Sequence, residues 1–191
     1  MCSAARWPRG RRSSTGGTHE GHPGWRISQI TNLVGTCTIR RFRPNVVTLH
    51  IGTNDLKVDQ DVDVAAAAGR LRALIDTILD GAPETTVLVA TLVPSLKPVP
   101  NGRIQEYNTR MQGIVDGFRS AGKPVRLVSM SAVTTADMAD WLHPNTTGYR
   151  KMADAFNRGI DAAMAEGLIV PPVAGASALP PADKRRCCVR R

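Results

Sequence analysis

Three short apolar runs constrain this chain most. Residues 45–51, 85–93 and 125–130 are rich in β-branched side chains; Pro44 precedes the first, Pro94 ends the second and Pro124 precedes the third. Runs of this length read as strands buried on both faces of a parallel sheet. Pro44 also biases Arg43 towards extended geometry. Between the runs, apolar residues recur at helical spacing. Ile27, Ile30, Leu33 and Val34 predict a helix over 27–36. Leu71, Leu74, Ile75, Ile78 and Leu79 predict one over 62–80, ended by Gly81 with Pro83 just beyond. Residues 94–102 read as a Pro-rich loop. A helix follows over 103–120, with Ile104, Tyr107, Met111, Ile114, Val115 and Phe118 on one face and Gly122 as its cap. The last, over 146–166, carries Tyr149, Met152, Ala153, Phe156, Ile160 and Met164. There is no internal repeat.

Strands alternating with helices require right-handed βαβ crossovers. The expected fold is α/β: a flavodoxin-like, doubly wound parallel sheet with helices on both faces, in three layers. In such a sheet ligands bind beyond the carboxyl ends of the strands. The loops after the first and third strands therefore share the functional edge.

At 191 residues the chain suits one domain with a sizeable core. The net charge of +9 sits at the ends. Residues 1–12 and 183–191 contribute +4 each, which leaves the body nearly neutral. That argues against specific nucleic-acid binding, for which a basic body is expected. Residues 1–18 are expected to be a disordered basic segment, 19–168 the folded domain, and 169–191 a disordered basic tail. No apolar run is long enough to span a bilayer. The arginines at 6, 9, 11 and 12 have no apolar segment behind them, so no signal peptide is expected. As written the chain would be cytoplasmic; a leader on an upstream segment would make it secreted. Cys2, Cys37, Cys187 and Cys188 have neither metal nor redox spacing.

Three constellations carry chemistry. The first strand breaks into Gly52-Thr53-Asn54-Asp55, where Gly52 lets the backbone turn and Asn54 and Asp55 sit just past the strand. These are also ordinary turn residues. In Asp140-x-x-His143 a carboxylate three residues before an imidazole can hold Nδ1–H and leave Nε2 as a general base. That spacing also arises by chance, and Asn145 or Thr146 could simply cap the next helix. In Gly21-His22-Pro23-Gly24-Trp25, glycine N–H groups can approach a substrate and donate to an oxyanion, with Asn54 donating to the same point. The bland reading is a turn with Trp25 docked on the core. His50, inside a strand, reads as a satisfied core histidine, and His22 as a pocket-lining residue.

The order Gly24, then Gly52-x-Asn54-Asp55, then Asp140-x-x-His143 resembles the SGNH hydrolase superfamily, the GDSL-like lipases and acylhydrolases. The segments His-Glu-Gly-His-Pro-Gly-Trp and His-Ile-Gly-Thr-Asn-Asp are most similar to carbohydrate esterase family three. The resemblance covers about residues 19–165. It implies a serine ester hydrolase with Gly24 and Asn54 as oxyanion-hole donors, His143 as base and Asp140 as its orienting acid. Gly52 and Asp55 would support the loop that presents Asn54. It implies no metal and no cofactor, and acetylated carbohydrate or another small ester as substrate.

One departure stands out. The family's nucleophile is the Ser of a Gly-Asp-Ser motif ending the first strand of its sheet, and no such motif occurs here. Ser3, Ser13 and Ser14 lie outside any strand pattern. The chain is therefore expected to lack both the nucleophile and the family's first strand, which sits near the middle of the sheet, and so to be amino-terminally incomplete, through a start placed too far downstream or a real truncation. The alternatives are a non-catalytic ligand-binding remnant, a lipase- or lysophospholipase-type acylhydrolase once completed, or an anion-binding protein using its basic ends.

Overall fold

The computed structural model describes residues 21–57 and 62–169. The expected basic end segments thus fall almost wholly outside the described residues, as do Ser3, Ser13 and Ser14. Strands β1 (Val46–Leu49), β2 (Thr86–Ala90) and β3 (Val125–Val128) form one parallel sheet in the order β1-β2-β3. Val47 pairs with Val87, and Val87 with Val125. Five helices surround it: α1 (Ile27–Leu33), α2 (Ile39–Phe42), α3 (Val64–Gly81), α4 (Pro98–Ser120) and α5 (Thr146–Ala165).

Side chains alternate across the sheet. Leu49, Val87 and Val89 face a core built with α1, α3 and α4, while Leu88, Ala90 and Val128 face α5. This is the expected three-layer α/β arrangement. Burial on both faces holds for β2, where Val87 to Ala90 have no exposed surface. It does not hold for β1, where Thr48 is exposed and Val46 and Val47 are half-buried. Among the described residues β1 has one strand neighbour, and α5 packs on β2 and β3 instead.

Other expectations shift for local reasons. The helix expected over 27–36 continues through a π-helical segment, Val34–Thr38, into α2. Arg43 is not extended: it caps α2 in the left-handed region, at φ 41°, with its N–H on the Ile39 carbonyl at 2.8 Å. Closing the helix overrides the preference that Pro44 imposes. Gly81 does not end α3 by turning; it is the last helical residue, and a Cβ there would collide with the Ile39 side chain. Its role is close approach between α3 and α2. The Pro-rich loop is shorter than expected, because Pro98 takes the first position of α4, where its missing N–H costs nothing.

Candidate active site

The Asp140–His143 loop is held from within. Asp137 ends a 3-10 turn and accepts the Thr134 N–H and hydroxyl at 2.8 and 2.9 Å. Lys151 of α5 reaches both its carboxylate oxygens, at 2.9 and 2.7 Å. The Asn145 N–H donates to the Asp137 carbonyl at 2.7 Å, and the Ala139 N–H to that of His143 at 2.8 Å. Asn145 is the N-cap of α5, accepting from the Gly148 N–H at 3.0 Å. Gly148 leaves no room for a side chain, since a Cβ would sit 2.6 Å from the Asp137 carbonyl oxygen.

Within this frame Asp140 Oδ1 accepts the N–H groups of Leu142 and His143, each at 2.7 Å. Oδ2 lies 2.8 Å from His143 Nδ1. The His143 and Leu142 N–H groups, followed by the imidazole, hold the Asp140 carboxyl down at about 2. Asp140 is thus an acceptor at any ordinary pH. Accepting from Nδ1 selects the tautomer whose Nε2 carries the free lone pair. The His143 side chain is 64% exposed, so Nε2 is accessible. The Asn145 cap and the Asp140–His143 hydrogen bond are both present in one loop.

The Gly24 and Asn54 loops are fastened to each other. Gly24 adopts φ 78°, and the Trp25 N–H closes the turn on the His22 carbonyl at 3.2 Å. Trp25 packs against the core, and the His22 ring stacks on it at 3.9 Å. Asn54 Nδ2 donates to the Trp25 carbonyl at 3.0 Å. One of its two amide hydrogens is used there. The Asp55 side chain, 1% exposed, accepts the Ile27 N–H at 3.0 Å and Arg70 Nε at 3.0 Å. It ties the start of α1, and so the Gly24 loop, to the Asn54 turn.

Helix α4 supports that turn from beneath. Gly52 has φ 125°, and a Cβ there would fall 2.8 Å from the Tyr107 ring. The Tyr107 hydroxyl reaches the Ile51 carbonyl at 3.4 Å, and burial together with the Asp55 charge pushes its pKa up. Arg103 Nη1 donates to the Lys57 carbonyl at 2.8 Å.

The two groups therefore share one edge of the sheet but do not touch. Among the described residues no hydrogen bond joins Asp140 or His143 to Gly24, Asn54 or Asp55. Their strands, β3 and β1, are separated by β2, about 10 Å in all at two interstrand spacings. A polar cavity of about 300 Å³, lined by Arg26, Ser28, Asp55, Val62, Asp63, Ala66 and Arg70, holds neither Asp140 nor His143. His50 is not the satisfied core histidine expected. Its buried Nε2 has no partner among the described residues, and burial lowers its pKa to about 4. Asp137, Lys151, Arg70 and Arg103 were not legible as site residues, since a lone charge on a helix or turn carries no motif. Among the described residues no helix is long and apolar enough to cross a membrane.

Known proteins resemble this chain in sequence and fold. The family described as "GDSL-like Lipase/Acylhydrolase family" matches residues 3–151. The chain is 28% identical over 141 residues to a "Multidomain esterase" of Ruminococcus flavefaciens, covering 68% of this chain and 18% of that one. It is 34% identical over 131 residues to a "Putative endoglucanase X" of Acetivibrio thermocellus, covering 66% and 52%. It thus spans about a fifth and about half of these two relatives. The solved "Clostridium thermocellum family 3 carbohydrate esterase" superposes with a TM-score of 0.64 at 34% identity, over 77% of this chain and 71% of that one. A three-stranded parallel sheet flanked by helices, a match along most of its length and this set of relatives assign the chain to the GDSL-like lipase/acylhydrolase (SGNH) family.

Proposed function

We propose that this chain carries the acid–base and oxyanion-binding parts of a serine esterase that deacetylates carbohydrate or a similar small ester. The observation that carries this reading is the Asp140–His143 pair, with Oδ2 at 2.8 Å from Nδ1 and the imidazole open to solvent. In the reaction, a serine hydroxyl adds to the ester carbonyl while His143 Nε2 takes its proton. Asp140 stabilises the imidazolium so formed. The oxyanion accepts from the Gly24 N–H and the second Asn54 amide hydrogen. Collapse of the tetrahedral intermediate expels the sugar alcohol, which takes the proton from His143. Water then hydrolyses the acyl-enzyme by the same route. Preference for a carbohydrate ester is supported by the 34% identity to a family 3 carbohydrate esterase.

No Gly-Asp-Ser occurs in the 191 residues, so the serine of this scheme is not among them in the family's form. The 191-residue chain is therefore expected to hydrolyse p-nitrophenyl acetate no faster than His143→Ala. Joining a strand that ends in Gly-Asp-Ser upstream of residue 21 should give turnover that His143→Ala abolishes. Turnover by the unextended chain that depends on His143 would mean that another nucleophile serves; a fluorophosphonate label would find it, with Ser13 and Ser14 the first places to look. Acetylated sugar bound by the unextended chain without hydrolysis would favour the ligand-binding remnant.

A further inference from the structure

Asp140 and His143 are both more than half exposed, so packing of their own side chains does not fix their position. The residue between them is gripped from another element. Ser95, in the loop after β2, is 3% exposed, and its hydroxyl donates to the Trp141 carbonyl at 2.9 Å. The Leu96 N–H donates to the same oxygen at 3.1 Å. Lys97 Nζ stands 4.4 Å above the Trp141 ring. Three consecutive residues thus hold the centre of the Asp140-x-x-His143 stretch.

The grip has a rigid base. The Ser95 N–H donates to Asn101 Oδ1 of α4 at 3.1 Å, and the Ser95 hydroxyl accepts the Lys97 N–H at 3.1 Å. About two turns further along α4, Asn108 makes a paired contact with Leu92, accepting its N–H at 2.8 Å and donating to its carbonyl at 2.9 Å. The same helix supports the Asn54 turn through Arg103 and Tyr107. Helix α4 therefore reaches both halves of the site, and Ser95 is its link to the acid–base half.

We propose that Ser95 is a positioning residue: its hydroxyl, acting on the Trp141 carbonyl, sets the Asp140–His143 alignment. This rests on reading that pair as the acid and base of the esterase. Two N–H bonds tie Asp140 Oδ1 to the backbone of Leu142 and His143, directly after Trp141. A shift of the Trp141 carbonyl is therefore passed to the carboxylate and to the ring it faces.

The test is ¹⁵N NMR of the His143 ring in the full 191-residue chain, which reads the ratio of Nδ1–H to Nε2–H tautomers in the neutral form. Asp140→Ala, which removes the acceptor, sets the uncoupled reference. Ser95→Ala should move the ratio towards that reference by about two-fold or more, the equilibrium equivalent of the weak end of a hydrogen bond's net contribution. Ser95→Thr, which keeps the hydroxyl, should restore it. An unchanged ratio in folded Ser95→Ala overturns the proposal even if the melting temperature falls, since a merely structural serine would do just that. An unchanged ratio in Asp140→Ala overturns the acid–base reading itself, and the positioning role with it. Should Ser95→Ala not fold, Ser95→Cys, which keeps the volume but offers only a weak S–H donor, is read by the same criterion.

Discussion

Replacing Asp55 by alanine should loosen the Gly24 and Asn54 loops together. The carboxylate is 1% exposed and accepts two donors, the Ile27 N–H and Arg70 Nε, each at 3.0 Å. Ile27 is fully buried, so its N–H has no water to turn to. Leaving it unpaired costs about 1–3 kcal/mol. The Arg70 side chain is 40% exposed and regains solvent, so loss of that ion pair adds about 0–1 kcal/mol. The expected fall in unfolding free energy is about 1–4 kcal/mol, or roughly 2–16 °C in melting temperature for a domain of this size. Urea denaturation measures the first, and amide exchange at Ile27 should speed up beyond the global change. Asp55→Asn keeps an acceptor for Ile27 and should recover more than half of the loss. A drop below about 1 kcal/mol for Asp55→Ala, or an asparagine variant no better than alanine, would refute the argument that the buried N–H is what matters.

Two further outcomes follow from the same geometry. Gly52→Ala combines φ 125° with a Cβ 2.8 Å from the Tyr107 ring, so it should cost about 2–5 kcal/mol in a urea melt; a neutral result would show that the turn can re-form. Asp137 and Asp140 both have carboxyl groups lowered from 3.8 to about 2, Asp137 chiefly by Lys151 and Asp140 chiefly by the His143 N–H. A lowered folded-state pKa stabilises above the unfolded value and is lost as pH falls through the folded one. Stability should therefore decline between about pH 4 and pH 2, and ¹³C titration should find both carboxyls still ionised near pH 3; normal titration at either would contradict its hydrogen bonds.

The fold was legible because its signals are local and repeated. The run 85–93 does not alternate and, Thr85, Thr86 and Thr91 apart, is apolar, which suits a strand covered on both faces, and β2 is that strand. The run 45–51 is likewise rich in β-branched residues, yet Thr48 is exposed, because burial depends on which neighbours a strand acquires as well as on its own residues. Gly81 and Gly122 illustrate the same limit. Both read as helix stops. Gly122 does sit at φ 70°, while Gly81 is small for the sake of Ile39, a residue forty-two positions away whose proximity no local pattern encodes.

The candidate site divides along the same line. Asn54, Asp140 and His143 could be singled out because chemistry at a strand's carboxyl end needs particular residue types in a particular order. What holds them could not. Asp55 fastens Ile27, twenty-eight residues away, Arg103 fastens Lys57, forty-six away, and Ser95 fastens Trp141, also forty-six away. Each acts on a backbone N–H or carbonyl, and every residue supplies those groups alike, so the partner's identity leaves no trace in the sequence. The bond lengths also explain why such tethers suffice. Loops past a parallel sheet's edge have no ladder to join, and a buried side chain that satisfies one backbone group removes the main reason for the loop to move. The Asp140–His143 loop is tied through Ser95 and Asp137, and the Gly24 and Asn54 loops through Asp55 and Asn54. Helix α4 reaches both halves, and β2 lies between the strands they follow.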